Sequence, residues 1–151
     1  MPTLPTPYLG TIEYSEDSVI VFASGLPAFE GERQFLLVER ASAAPVLFLQ
    51  SLQTPELVFM TIPVDVVLAD YQLSLTVEDL ADLDSEAGMA PVAGADLAVL
   101  GIVTSSRDAP TTINLMAPVV INSRTRRGRQ AVQSGSGLYS CQHPLEQPRC
   151  L

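Results

Sequence analysis

The sequence predicts an all-β protein built from about nine short strands and one short helix. Apolar residues alternate with polar ones or occur in short runs, and clusters of Gly, Pro and Asp separate these runs. Both patterns are typical of strands that end in tight turns. The twelve prolines suit the many turns and sheet edges of such a fold. The patterns leave two single-domain architectures open, an antiparallel sandwich and a small antiparallel barrel.

The strands are predicted wherever this alternation, or a short apolar run, is bounded by turn residues. The runs SVIVF, LVFMTI and AVLGIVT are the most apolar of them. A single turn is expected around residues 27–31, which contain Pro and Gly. In chain order, the predicted strands are residues 8–14, 18–22, 35–38, 46–50, 57–62, 72–75, 98–104, 119–122 and 130–133.

One stretch has helical periodicity instead. Val77, Leu80 and Leu83 are spaced three residues apart, and Thr76 supplies a hydroxyl just before them. Asp79 stands three residues after Thr76, which is the spacing of a capping box, with Asp in place of the preferred Glu or Gln. We therefore predict one short helix that begins after Thr76.

The length of 151 residues and the hydrophobic content of 47% fit one domain with a hydrophobic core. We assign residues 8–145 to this domain and residues 146–151 to a C-terminal tail. Residues 1–7 are interpreted as an extended lead-in, because their three prolines cannot all lie in a helix. The first residues lack the pattern of a signal peptide, and the longest apolar run, residues 97–103, is too short to span a bilayer. We expect a cytoplasmic protein.

Charge is distributed unevenly along the chain. Residues 1–100 carry fifteen acids against two arginines, a balance of −13, and residues 101–151 carry six arginines against two acids, a balance of +4. The formal net charge is −9, and there is no lysine. A surface this acidic repels nucleic acid and anionic lipid and attracts basic partners. We therefore expect no direct nucleic-acid or membrane partner, although a low pI can also serve solubility alone.

The sequence offers little for catalysis, metal binding or a cofactor. His143 is the only histidine, and no G-x-S-x-G nucleophile motif is present. Together with Cys141 and Cys150 it gives three possible zinc ligands, one fewer than a structural zinc site needs, and at the wrong spacing. The acids of residues 78–86 do not follow the spacing of a calcium-binding loop. We predict a protein that is not an enzyme and has no cofactor; a hydrolase built around His143 is the alternative.

Residues 55–72, PELVFMTIPVDVVLADYQ, combine a strand with a valine-rich run that is interrupted by Asp65 and Asp70. Two interpretations are open. An ordinary alternating strand would direct Val64, Val66 and Leu68 into the core. Alternatively, apolar side chains flanked by acids would suit a partner that is apolar at its centre and basic at its rim.

Four arginines lie within residues 124–129, between two predicted strands, and indicate a basic hairpin loop. An RNA-binding regulator that uses this loop is the main alternative function. The net charge of −9 and the absence of interleaved aromatic residues argue against it. We favour two structural roles: pairing with the acidic surface of the protein itself, or holding the ends of the hairpin.

Several motifs occur together in one order. Residues 21–30, VFASGLPAFE, resemble the pattern F-x-x-G-[IL]-P-G-F-E. Residues 47–52, LFLQSL, resemble an aromatic strand that ends in Q-S, and Asp70 with Tyr71 resembles a D-Y pair that follows an apolar loop. All three patterns are those of the FliW family of flagellar assembly factors.

The most specific resemblance to this family is C-terminal. Residues 114–122, NLMAPVVIN, resemble the pattern N-L-x-A-P-[IV]-V-[IL]-N, and a basic turn at residues 125–130 and H-P-L at residues 143–145 follow it. The resemblance extends from about Tyr8 to Leu145 in the family's order and spacing. One departure is Ala28, which stands where the family usually has a glycine and so disfavours a positive φ. Residues 84–95 are also richer in Ala and Gly than the family pattern.

The resemblance implies a compact β-barrel-like fold with little helix. FliW-type proteins bind the small dimeric translational repressor CsrA, and they bind flagellin in exchange for it. Once flagellin has been exported, FliW turns to CsrA and relieves the repression of flagellin translation. By this resemblance we expect a CsrA-type repressor and flagellin as partners of a monomeric chain.

The resemblance and the charge pattern together indicate which residues meet the partner. CsrA holds RNA through basic residues, so an acidic binder attracts CsrA and repels RNA, while the apolar segment 64–68 supplies a buried anchor. The predicted contact surface consists of Glu56, Asp65, Val66, Val67, Asp70, Tyr71 and Gln72. A second, acidic surface is predicted to attract the partner without touching it, and it consists of Glu78, Asp79, Asp82, Asp84 and Glu86.

Overall fold

The computed structural model of the chain describes residues 1–84, 97–133 and 138–145. Two short helices lie in these residues, α1 (Val64–Val67) and α2 (Val77–Asp82), together with two single 3-10 turns. The described strands are β1 (Thr3–Thr6), β2 (Gly10–Glu13), β3 (Ile20–Val21), β4 (Gln34–Glu39), β5 (Leu47–Ser51), β6 (Val58–Pro63), β7 (Leu97–Ser106), β8 (Ala109–Asn122), β9 (Arg127–Gln130) and β10 (His143–Pro144).

Seven of these strands close into a barrel. Hydrogen-bonded neighbours follow the order β8, β7, β6, β5, β4, β3 and β9, and the pairing of β9 with β8 completes the circle. The pairs are antiparallel except β3 with β9, which run parallel at Val21 and Arg127. The predicted all-β barrel is therefore confirmed, and the parallel pair makes it a mixed one.

Large apolar side chains fill the barrel. The rings of Phe22 and Phe35 meet edge to face at its centre, with centroids 5.2 Å apart. Gly128 of β9 lies against the Phe22 ring, and a Cβ added at Gly128 would come within 2.5 Å of a ring carbon. The barrel wall therefore requires a residue without a side chain at this point.

The hairpin of β1 and β2 covers one side of the barrel. Ile12 of β2 is buried against Leu36 and Val38, which point outward from β4. The N-terminal residues are extended, as the prolines indicated, and they are also paired from Thr3 to Thr6. Pro5 has no N–H to donate, but β1 pairs on one side only, so no hydrogen bond between strands is lost at this position.

Residues 64–83 cross the outside of β7 and β8 and bury a second apolar cluster beneath them. Val64 of α1 and Leu83 after α2 are both buried there, against Leu115 and Val120 of β8. This crossing segment holds most of the predicted contact residues, so its packing fixes where they point.

The capping box predicted for α2 is present. The backbone N–H of Asp79 donates to Thr76 Oγ1 at 3.1 Å, and that of Thr76 donates to Asp79 Oδ2 at 2.9 Å. The helix starts at Val77, as the sequence predicts.

The strand predicted at residues 72–75 is wrong. The backbone N–H groups of Gln72 and Ser74 donate to the Tyr139 hydroxyl and to Gln133 Oε1, each at 2.8 Å, and not to a neighbouring strand. The alternation that suggested a strand arises because the leucines at 73 and 75 pack onto the second apolar cluster.

The sequence also misplaced the last strands. β8 begins ten residues before the predicted 119–122. Its pairing with β7 is irregular between Asn114 and Val119, and Asn114 Oδ1 accepts from the backbone N–H groups of Met116 and Ala117 at 3.1 and 3.0 Å. β9 begins at Arg127 rather than 130, so part of the arginine run is strand and not loop.

The turn predicted at residues 27–31 is present and is closed by bonds between Leu26 and Phe29. Ala28 lies in this turn with φ of 70°, a conformation that glycine adopts far more easily. The turn therefore keeps a positive φ although this chain has Ala where the family pattern has Gly.

Candidate functional site

The predicted anchor, residues 64–68, is one turn of helix and not an alternating strand. Val64 is buried in the second apolar cluster, whereas Val66 is 59% exposed, and Asp65 is exposed beside it. Val67 is half-buried on the edge of the same cluster. The interpretation as an ordinary strand, with Val64 and Val66 both pointing inward, is therefore wrong. The helical turn presents one acid and one valine to solvent.

Tyr71 fastens the crossing segment to the barrel. Its hydroxyl donates to the Leu115 carbonyl at 2.6 Å, and its ring stacks on Tyr139 with centroids 4.2 Å apart. Burial, and then the neighbouring Tyr139, raise the pKa of Tyr71, so the hydroxyl stays protonated and remains a donor. Tyr71 thus has a structural role that the sequence did not reveal, while Asp70 and Gln72 on either side of it are exposed.

Glu56 is separated from the other predicted contact residues by the length of β6. It precedes the strand, and Asp65 follows it, so about 17 Å of extended chain lies between the two ends. The outward-facing side chains of β6 lie between these acids. Met60 is the most exposed of them at 38%, and Val58 and Ile62 are half-buried.

These outward residues extend the predicted contact surface along β6. Met60 pairs with Phe48 across β5 and β6, whereas the alternate residue Phe59 points inward and packs on Phe35. The alternation in LVFMTI indicates that the strand has two different faces, but it does not show which face points to solvent. We call this surface the β6 face, and it consists of Glu56, Val58, Met60, Asp65 and Val66.

The predicted acidic surface needs correction. Asp79 is only 3% exposed, and Arg129 forms ion pairs with both Asp79 and Asp82. These two carboxylates therefore add little to the field that a distant partner meets. Glu78 and Asp84 are exposed, as predicted, and Glu86 lies outside the residues that the structure describes.

Ser24 completes the network around α2, because its hydroxyl donates to Asp82 Oδ2 at 2.6 Å. Burial alone would raise the pKa of the Asp82 carboxyl. The hydrogen bonds from Ser24 and Arg129, with the charge of Arg129, outweigh burial and hold that pKa below its usual value. Asp82 thus stays ionised and keeps α2 attached to β9.

Of the four arginines in residues 124–129, Arg129 therefore has a structural role. The predicted pairing with acids of the same chain is confirmed for Arg129. The turn before β9 also holds the end of α2, since Asn122 Nδ2 and Thr125 Oγ1 both donate to the Leu83 carbonyl at 3.0 and 2.8 Å. Arg124 and Arg126 are exposed in this turn.

Two of the three residues that suggested metal or hydrolytic chemistry lie in the described part of the chain. His143 lies in β10 opposite Ile113, Cys141 is an exposed free thiol, and Cys150 falls in the tail 146–151, outside the described residues. Within residues 1–84, 97–133 and 138–145, no group of three His, Cys, Asp or Glu side chains is placed to hold a metal ion. No helix in that part of the chain is long and apolar enough to cross a membrane.

Comparison with known proteins gives the family. The profile of the family described as FliW protein matches residues 3–145. The chain belongs to the FliW family. A FliW relative in Syntrophomonas wolfei, described as flagellar assembly factor FliW, is 33% identical over 141 residues, which cover 93% of this chain and 86% of the relative. The protein of the same description in Pseudothermotoga lettingae is 34% identical over 137 residues, covering 89% and 83%.

A solved FliW structure agrees with the fold. The crystal structure of the flagellar assembly factor FliW superposes with a TM-score of 0.81 at 32% sequence identity, covering 97% of this chain and 98% of that one. The resemblance that the motifs indicated is therefore confirmed, and this FliW structure shares the fold described above.

Proposed function

We propose that this chain is a cytoplasmic flagellar assembly factor that binds a CsrA-type translational repressor and is released from it by flagellin. It acts by capturing proteins and carries out no chemical reaction. Family membership supports the role in flagellar assembly. The β6 face is the single observation that carries the proposed mode of binding.

The composition of the β6 face is complementary to a basic, RNA-binding protein. Met60 and Val66 are exposed apolar side chains, and Glu56 and Asp65 lie at the two ends of the strand between them. Interfaces of this kind place apolar anchors at the centre and charges at the rim. Because β6 is an interior strand of the barrel wall, the side chains are held in place before the partner arrives.

Electrostatics supports the same choice of partner. The chain carries a net charge of −9, and Asp65, Asp70, Glu78 and Asp84 are all exposed. A field of this sign increases the rate at which a basic protein arrives and keeps RNA away. A repressor bound here would therefore be held where RNA is repelled.

Met60 and Met116 provide a matched test, because each is a strand methionine that is 38% exposed. We expect Met60→Asp to raise the Kd for the purified repressor on the order of 30-fold, about 2 kcal/mol, since a charge would replace the apolar anchor. Met116→Asp, on β8, is expected to leave the Kd unchanged. The Kd is measured by calorimetry, after circular dichroism has shown that both variants fold.

Two outcomes would contradict this assignment. Equal weakening by both variants would indicate a general effect of added negative charge, and no weakening by Met60→Asp would exclude the β6 face. Flagellin added to the wild-type complex is expected to release the repressor. A stable complex of all three proteins would contradict the exchange.

A further inference from the structure

Three arginines lie close together here: Arg124 and Arg126 in the turn between β8 and β9, and Arg127 as the first residue of β9. We call residues 123–127 the basic turn. None of the three arginines forms an ion pair with another residue that the structure describes. Arg129, two residues further on, is paired with two carboxylates. The charges of these three neighbouring arginines are therefore not compensated by a carboxylate of the described residues.

The backbone of the basic turn is held firmly. Asn122 and Thr125 anchor it to the Leu83 carbonyl, the backbone N–H of Arg124 donates to Asn122 Oδ1 at 3.0 Å, and that of Arg126 donates to the Asn122 carbonyl at 2.9 Å. Arg126 has φ of 57°, a left-handed conformation that Gly or Asn adopts more easily. The guanidinium groups are therefore presented from a fixed support, which lowers the entropy that binding would cost.

We propose that the basic turn is a docking surface for an acidic segment of a protein partner. Guanidinium groups bind carboxylates through paired hydrogen bonds, and several of them on one rigid turn suit a segment with several carboxylates. Phosphate groups share this chemistry, so RNA is the competing ligand. The net charge of −9 and the absence of an aromatic residue from residues 122–130 favour carboxylates, because a nucleic acid is repelled at long range and finds no ring on which to stack.

This inference does not depend on the proposed binding of a repressor. The β6 face attracts a basic partner, whereas the basic turn attracts an acidic one, so the two surfaces select opposite charges. Failure of either proposal leaves the other standing.

Arg124 and Arg107 allow a matched test. Both are exposed, and Arg107 lies in the β7–β8 turn, at the opposite end of β8. The probe is a fluorescent twelve-residue peptide of alternating Glu and Ser, titrated at 50 mM salt with the full chain. We expect saturable binding that Arg124→Glu weakens about tenfold and Arg107→Glu leaves unchanged, with a further loss in the Arg124→Glu, Arg127→Glu double variant.

The competing ligand is tested in the same way with a twelve-nucleotide single-stranded RNA. Binding of RNA that is stronger than binding of the peptide, and lost in Arg124→Glu, would overturn the proposal in favour of nucleic acid. Absence of peptide binding, or equal loss in Arg124→Glu and Arg107→Glu, would also overturn it. Circular dichroism spectra that match the wild type show that the variants remain folded.

Discussion

Replacing Arg129 with Met is expected to lower the free energy of unfolding by about 3 kcal/mol at pH 7. The substitution keeps much of the side-chain volume but removes the only positive charge paired with Asp79 and Asp82 in the described structure. Asp79 is 3% exposed, so its carboxylate would remain buried without a counter-charge. Urea denaturation of the two proteins measures the difference. Arg127→Met is the control, because Arg127 lies on the same strand and forms no ion pair with a described residue.

The effect of Arg129→Met should depend on pH with a definite sign. The folded pKa of Asp82 lies below its unfolded value, so the stabilisation is present above about pH 4 and is lost as pH falls through the folded pKa. The stabilities of wild type and variant are therefore expected to converge in acid. Equal stability of wild type and variant at pH 7 would show that the ion pairs of Arg129 gain no more free energy than the desolvation of their charges costs.

Gly128→Ala is expected to destabilise the protein by about 2 to 3 kcal/mol. The added Cβ would lie within 2.5 Å of the Phe22 ring, which is fully buried at the centre of the barrel. Thermal unfolding measures the loss. Gly31→Ala is the control, since a Cβ at Gly31 meets nothing within 4 Å and the change should be nearly neutral.

A second variant identifies the cause. If the ring causes the clash, Phe22→Leu should lower the free energy of unfolding less in the Gly128→Ala background than in the wild type. The two positions are in contact, so their effects should not simply add. Simple additivity of the two losses would contradict this explanation, as would an unchanged melting temperature for Gly128→Ala.

Much of the fold could be predicted because the strands of the barrel are short and alternate. Residues 35–38, 46–50 and 57–62 lie in strands close to the predicted bounds, since one side of each points into the core. The closure of the barrel could not be predicted in this way. It depends on the parallel pairing of β3 with β9 at Val21 and Arg127, which leaves no local trace in the sequence.

The sequence does not show which of the predicted site residues face solvent. Val64 and Val66 look alike in the sequence, yet a turn of helix buries one and exposes the other. Asp79 looks like a solvated helical acid, but its partner is fifty residues away in β9. The sequence does not distinguish Met60 from a core residue, because an apolar residue in a strand is usually buried and only the pairing of the strands shows which side faces solvent.

The central claim, capture of a basic translational repressor by an acidic and partly apolar face, is tested most directly by one titration. The chain is titrated by calorimetry with a purified CsrA-type repressor from the same source, at low and at high salt. We predict saturable binding at low salt that becomes weaker at high salt, because screening removes the attraction between the opposite charges. Absence of binding at both salt concentrations would contradict the claim.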